Sequence, residues 1–169
     1  MKKIITGFLI LVICFTSLVF EEEDPTQNAK SSILMEVSTG TVLFEKNKDD
    51  RVAVASLTKM MAQILILEAI EAGNLTWEEE VKASSNAAGY GGTQIYLQPG
   101  EMMSVRDLMK GISMASANDA TVALAERIAG SEDAFVKMMN DKAKELGLKN
   151  TNFVNPTGLD EENHYSSAY

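Results

Sequence analysis

The β-prone sequence of this 169-residue chain is gathered into one place near its start. Ser32-Ile33-Leu34-Met35-Glu36-Val37 and Thr41-Val42-Leu43-Phe44-Glu45 are short runs of strand-forming residues, and Ser38-Thr39-Gly40 between them has the character of a glycine-containing hairpin turn. A two-stranded hairpin is not a stable sheet in water. Both faces of this one are largely apolar, so it requires cover on each side and strands beside it from elsewhere.

Beyond the hairpin the chain changes period. From Ser56 onward Leu57, Met60, Met61, Ile64, Leu65, Leu67 and Ile70 recur at helical spacing, and Gly73-Asn74 supplies a stop. This predicts a buried helix whose N-terminus is Ser56. Ser104-Val105-Arg106-Asp107 resembles a capping box and starts a helix that runs to about Ala115. Asn118 to Ala129 reads as another, closed by Gly130, and Ser131 can cap a third over 132–146, stopped by Gly147. From Leu148 the chain is loop-rich, and it contains no repeat or low-complexity segment.

The N-terminus is of another kind. Lys2 and Lys3 precede an apolar run over 4–20 that is relieved only by Thr6, Gly7, Thr16 and Ser17, the n-region and h-region of a secretory leader. The run approaches the roughly 20 residues that cross a bilayer and shows no A-x-A-like cleavage site near Phe20, so retention as a membrane anchor stands beside removal after export. Cys14 follows Leu11-Val12-Ile13 and lacks the small residue that a lipoprotein signal places before its cysteine. The polar stretch 21–30, with Pro25, reads as a linker. The expected organisation is a leader over 1–20, a linker over 21–30 and one domain over 31–169.

Composition excludes several functions. Cys14 is the sole cysteine, so without the leader no disulfide, thiolate metal site or cysteine nucleophile remains. The net charge of −9 argues against nucleic acid and against electrostatic attachment to anionic lipid, and it becomes more negative once Lys2 and Lys3 are removed.

Ser56-Leu57-Thr58-Lys59 places a hydroxyl and an amine three residues apart at a helix start, on one face and one turn apart. The amine can then reach the hydroxyl proton, and the helix N-terminus favours negative charge developing on an attacked carbonyl. To accept a proton Lys59 must be neutral, which burial or a neighbouring cation promotes. The spacing alone is weak: 13 serines and 12 lysines yield about one S-x-x-K by chance. S-x-N occurs twice, at Ser84-Ser85-Asn86 and Ser116-Ala117-Asn118. The second lies at a junction between helices, where side chains can project into a cleft, although capping alone also explains it.

Other residues carry less. His164 is the only histidine, so metal sites built on several histidines are excluded, and a hydrogen-bonded or solvated loop residue is expected there. Glu78-Glu79-Glu80 and Glu161-Glu162 read as solvated charge, and the ten methionines, among them Met60, Met61, Met102, Met103, Met138 and Met139, as core filler.

An ordered set of motifs is more telling than any one of them. Ala55-Ser56-Leu57-Thr58-Lys59-Met60-Met61 is followed by Leu97-Gln98-Pro99-Gly100-Glu101, then by Val105-Arg106-Asp107-Leu108-Met109, Ala115-Ser116-Ala117-Asn118-Asp119-Ala120 and Val122-Ala123-Leu124-Ala125-Glu126. Thr151-Asn152-Phe153-Val154-Asn155-Pro156-Thr157-Gly158-Leu159 and His164-Tyr165-Ser166 complete it. From about residue 31 to 169 the chain resembles the low-molecular-weight penicillin-binding proteins, serine-type D-alanyl-D-alanine carboxypeptidases.

That resemblance implies an α/β fold of the β-lactamase/transpeptidase type, a helical cluster packed on a mostly antiparallel sheet. It implies that Ser56 forms an acyl-enzyme with the penultimate D-alanine of a peptidoglycan stem peptide, or with a β-lactam antibiotic. Lys59 is then the general base, Ser116 relays protons to the leaving D-alanine, Asn118 binds the substrate backbone, and no cofactor is used. It also implies a strand bearing Lys-Thr-Gly, which this sequence lacks. Ser38-Thr39-Gly40 and Pro156-Thr157-Gly158 share two of its letters without the cation. The expectation is a carboxypeptidase domain incomplete at its C-terminus, with an inactive fragment as the rival. A class A β-lactamase is the lesser alternative, because no E-x-x-L-N-like loop is present.

Overall fold

The computed structural model describes residues 26–169. The chain divides into two units, Met1–Lys30 and Ser31–Tyr169. The apolar run 4–20, Cys14 and most of the expected linker lie outside the described residues. Within the first unit, Ala29 N–H donates to the Thr26 carbonyl at 2.9 Å and closes a turn.

The second unit opens with the expected hairpin, β1 (Ser32–Met35) and β2 (Val42–Lys46), antiparallel, with Ser32 opposite Lys46 and a register shift between Leu34 and Met35. Glu36 builds the turn. Its carboxylate accepts the Ser38 N–H at 3.0 Å and the Thr39 N–H at 2.7 Å, as well as both hydroxyls. These donors stabilise the charged form and hold its pKa at about 2.

The cover that the hairpin requires is not found among the described residues. No residue of β1 or β2 is fully buried, and Leu34 and Leu43 are 57% and 63% exposed. The core lies elsewhere.

A 3₁₀ turn (Ala55–Thr58) leads into α1 (Lys59–Glu71). The expected helix therefore begins one turn tighter than the period suggested. Ala55 enters the turn at φ +45° and Leu57 N–H donates to the Val54 carbonyl at 3.1 Å, an i→i+3 bond that the apolar spacing cannot report. Burial is also narrower than expected. Met61, Ala62, Leu65 and Ile66 are buried, while Leu57, Met60, Ile64 and Leu67 form an exposed apolar stripe.

Two short strands, β3 (Glu80–Lys82) and β4 (Met102–Ser104), pair antiparallel around the four-residue helix α2 (Ser85–Ala88). Runs of three residues show no period, which is why sequence reasoning passes over them. Their pairing is extended by Ala83 N–H to the Glu101 carbonyl and Val105 N–H to the Glu79 carbonyl.

The next three helices keep closely to the sequence pattern. α3 (Val105–Ala115) starts at Ser104, whose Oγ accepts the Asp107 N–H at 3.1 Å. α4 (Asn118–Ala129) ends at Gly130, φ +81°, and α5 (Glu132–Glu145) is capped by Ser131. α4 is central: it touches α1, α2, α3, α5 and β3. Its small residues, Asn-Asp-Ala-Thr-Val-Ala-Leu-Ala, let neighbours approach closely, and all eight positions from Asn118 to Ala125 are buried. Around it pack Ile66, Leu75, Leu108, Phe135 and Met139, each large side chain contributing about 1.5–3 kcal/mol by leaving water. The methionines divide accordingly. Met61, Met109 and Met139 fill the core, whereas Met60, Met102, Met114 and Met138 are exposed.

The loop-rich tail is closed on itself by the bridge of Asn152 with Tyr165, and is fastened back by the bridge of Val52 with Ser166 and by the Arg51 guanidinium 4.5 Å over the Tyr165 ring.

Candidate active site

The 3₁₀ turn sets Ser56 at the surface and Lys59 in the interior. Ser56 is exposed, while Lys59 begins α1 with 2% of its surface accessible. Across the single turn Lys59 Nζ lies 3.1 Å from Ser56 Oγ, and it donates to the Thr157 carbonyl at 2.8 Å. Burial disfavours the ammonium and lowers the Lys59 pKa to about 8. A neutral amine keeps an N–H for Thr157 and turns its lone pair to the Ser56 hydroxyl, the arrangement that removes a nucleophile's proton.

The Thr157 carbonyl is placed by a tight loop. Asn155 Oδ1 accepts the Thr157 N–H at 3.1 Å, the Thr157 hydroxyl at 3.1 Å and the Gly158 N–H at 2.7 Å, while Asn155 Nδ2 donates to the Leu159 carbonyl at 2.9 Å. Gly158, at φ +85°, lies so close to the serine turn that a Cβ would fall 1.8 Å from the Ala55 carbonyl oxygen. Thr58 Oγ1 is 2.7 Å from Nε2 of the buried His164.

On the opposite side Asn118, the first residue of α4 and 4% exposed, donates through Nδ2 to the Gly91 carbonyl at 2.7 Å and through its backbone to the Thr93 carbonyl at 2.7 Å. A Cβ at Gly92 would come within 2.6 Å of that amide nitrogen. The fully buried Asp119 carboxylate accepts the Ile95 N–H at 3.1 Å and the Leu97 N–H at 3.0 Å, pinning the segment just beyond Thr93. Between these walls lies a cleft of about 230 Å³, lined by Ser56, Gly92, Thr93, Asn118, Thr157 and Gly158 among others.

Ser56, Lys59 and Asn118 are thus brought together. Ser116 caps the C-terminus of α3 in the left-handed region at φ +55°, is not among the residues lining the cleft, and has no hydrogen bond to Ser56 or Lys59. The two S-x-N tripeptides separate. Ser84 caps α2 by accepting the Ala87 N–H, and Asn86 Nδ2 donates to Glu126 at 2.9 Å, so only Asn118 reaches the cleft. Glu78 and Glu79 pair with Arg106 and Arg127 on the surface.

Sequence reasoning gave no role to Thr58, Asp119, Thr157 or Gly158. The signal for the last two was present in Asn155-Pro156-Thr157-Gly158, a turn signature with a side chain able to bind the backbone two residues on. Pro156-Thr157-Gly158 is a loop, as expected, yet it forms a wall of the cleft.

A serine hydroxyl served by a buried lysine one turn away, beside a helix-end asparagine, defines a serine acyl-transferase type of site. The family model for D-alanyl-D-alanine carboxypeptidase, peptidase S11, matches residues 18–169, and the chain belongs to that family. It is 50% identical, over its whole length and 46% of the relative's, to the D-alanyl-D-alanine carboxypeptidase DacF of Bacillus subtilis. To DacA of Escherichia coli it is 43% identical over 85% of this chain and 37% of that one. Among solved structures, penicillin-binding protein 5 from Haemophilus influenzae superposes with a TM-score of 0.82 at 39% identity, covering 86% of this chain and 43% of the other. The D-alanyl-D-alanine carboxypeptidase DacD from Francisella tularensis does so at 0.81 and 44%, over 83% of this chain and 34% of that one. The fold is that of the penicillin-binding proteins. The chain spans less than half the length of these relatives.

Proposed function

We propose that the protein is a serine-type D-alanyl-D-alanine carboxypeptidase that trims peptidoglycan stem peptides and is acylated by β-lactams. The observation that carries this reading is Lys59 Nζ, buried and depressed to a pKa of about 8, at 3.1 Å from Ser56 Oγ. Ser56 Oγ attacks the carbonyl carbon of the penultimate D-alanine as its proton passes to Lys59. The C–N bond breaks, the leaving D-alanine amine takes up the proton that Lys59 received from Ser56, and water then hydrolyses the ester; passing that proton through Ser116 requires its hydroxyl to turn toward the cleft. Asn118 holds the substrate backbone across the cleft.

The leader pattern over 1–20 supports export ahead of a domain over 31–169, with the membrane as the second address of that segment. Among the described residues no helix is long and apolar enough to cross a membrane.

The test is the intact mass of the chain after incubation with benzylpenicillin, beside Ser56→Ala. One covalent adduct is expected, absent from the variant. Its rate of formation should rise with pH through about 8, as Lys59 loses its proton. A second reading, a chain that folds without acylating, is favoured by the uncovered stripe of Leu57, Met60, Ile64 and Leu67 beside the nucleophile. A folded chain with no adduct would establish it.

A further inference from the structure

His164 has no part in the proton transfers described, yet it is 8% exposed and sits directly behind the nucleophile turn. Its two ring nitrogens have different partners. Val154 N–H points at Nδ1 from 3.3 Å, so Nδ1 is the acceptor and the proton resides on Nε2. Nε2–H therefore donates to Thr58 Oγ1 at 2.7 Å. The ring is held edge-to-face against Phe153, centroids 5.8 Å apart, and the Phe153 backbone is bound at both ends by the Asn140 amide.

Thr58 lies between the nucleophile and the base in the chain, and the loop carrying His164 also carries the carbonyl that binds Lys59. Three links tie that loop to the turn: Gly158 against the Ala55 carbonyl, Thr157 O to Lys59 Nζ, and His164 to Thr58. The first is a steric limit and the second exists only while Lys59 is in place. The third joins two buried side chains.

We propose that His164 is a positioning residue which, acting through Thr58, holds the serine turn and the Lys59-binding loop in one register, so that Ser56 Oγ and Lys59 Nζ keep their proton-transfer geometry. The neutral ring serves this role. Burial lowers its pKa, opposed by Asp160 and Glu161, and protonating Nδ1 would set an N–H against the Val154 N–H. The inference rests on the proposed function only in naming Ser56 as the nucleophile.

His164→Ala should slow acylation of the full chain by benzylpenicillin roughly 10- to 100-fold, through the acylation step and not through binding, because misplacement of a reacting group by about 1 Å costs on that order. The pH midpoint of acylation should move upward as water reaches Lys59. His164→Gln, whose amide nitrogen corresponds to Nε2, should restore most of the rate and the midpoint, and His164→Asn, which is shorter, should not. Thr58→Val preserves shape and removes the acceptor. It should reproduce the loss, and it serves if His164→Ala does not fold.

As the only histidine, His164 gives an unambiguous ¹⁵N spectrum, expected to show a protonated Nε2 and a bare Nδ1. A proton on Nδ1, or wild-type rates and midpoints in both His164→Ala and Thr58→Val, would overturn the inference. If the wild-type chain forms no adduct, the proposed function fails and the inference is tested on Lys59 itself. The ε-carbon titration of Lys59 should then move upward in His164→Ala and return in His164→Gln, and an unchanged titration in His164→Ala would refute it.

Discussion

The hairpin over residues 32–46 and α4 are both built from small and apolar residues, and they meet opposite fates. Every residue from Asn118 to Ala125 is buried, including an aspartate and an asparagine, whereas no residue of β1 or β2 is. Apolar character alone does not locate a core. α4 has helices beside it and a loop whose N–H groups satisfy its one buried carboxylate, while the hairpin presents Leu34 and Leu43 to solvent. Buried polar groups are tolerated where they are bonded, and an apolar strand stays exposed where none of the described residues lies against it.

Substitutions can break this contrast. The largest effect is expected at Phe135, fully buried where α5 meets α4. Phe135→Ala should cost about 3–5 kcal/mol in urea unfolding, and a loss below about 1 would mean that the helical core is not where the stability resides. Next is Asp119→Ala, which leaves the Ile95 and Leu97 N–H groups without their acceptor. A loss of roughly 2–4 kcal/mol is expected, with faster amide exchange at those two residues.

Acid sharpens the contrast from the other side. Glu36 titrates near 2 in the folded turn against an ordinary 4.5. Its contribution is complete above about 4.5 and is lost as pH falls toward 2, because the unfolded carboxyl takes up its proton first. The protection of the Ser38 and Thr39 amides relative to their intrinsic exchange rates should fall over that window while that of α4 does not, and Glu36→Gln should remove this pH dependence of protection. The smallest effect is expected at Leu43, 63% exposed. Leu43→Ser should change stability by less than about 0.5 kcal/mol. A loss above about 1.5 kcal/mol would show that the hairpin has cover after all.

Legibility tracked the range of the interactions. Ser104, Ser131 and Gly130 mark helix ends in the sequence because a cap acts within one turn, and the structure ends its helices there. The strands β3 and β4 were not legible, since three residues apiece are defined only by a partner about 20 positions away. The two S-x-N tripeptides were equivalent as letters. Asn86 faces Glu126 while Asn118 faces the cleft, a difference made by where α4 is packed.

By itself the sequence determined the Ser56–Lys59 spacing, the ends of α3, α4 and α5, the hairpin and the family, all of which depend on residues a few places apart or on their order. Tertiary structure alone decided that burial lowers the Lys59 pKa to about 8, that the Thr157 carbonyl meets it from 98 positions away, and that His164 reaches Thr58 from 106. The physical reason is that desolvation and long-range hydrogen bonds belong to packing, which joins segments that carry no mark of one another in the chain.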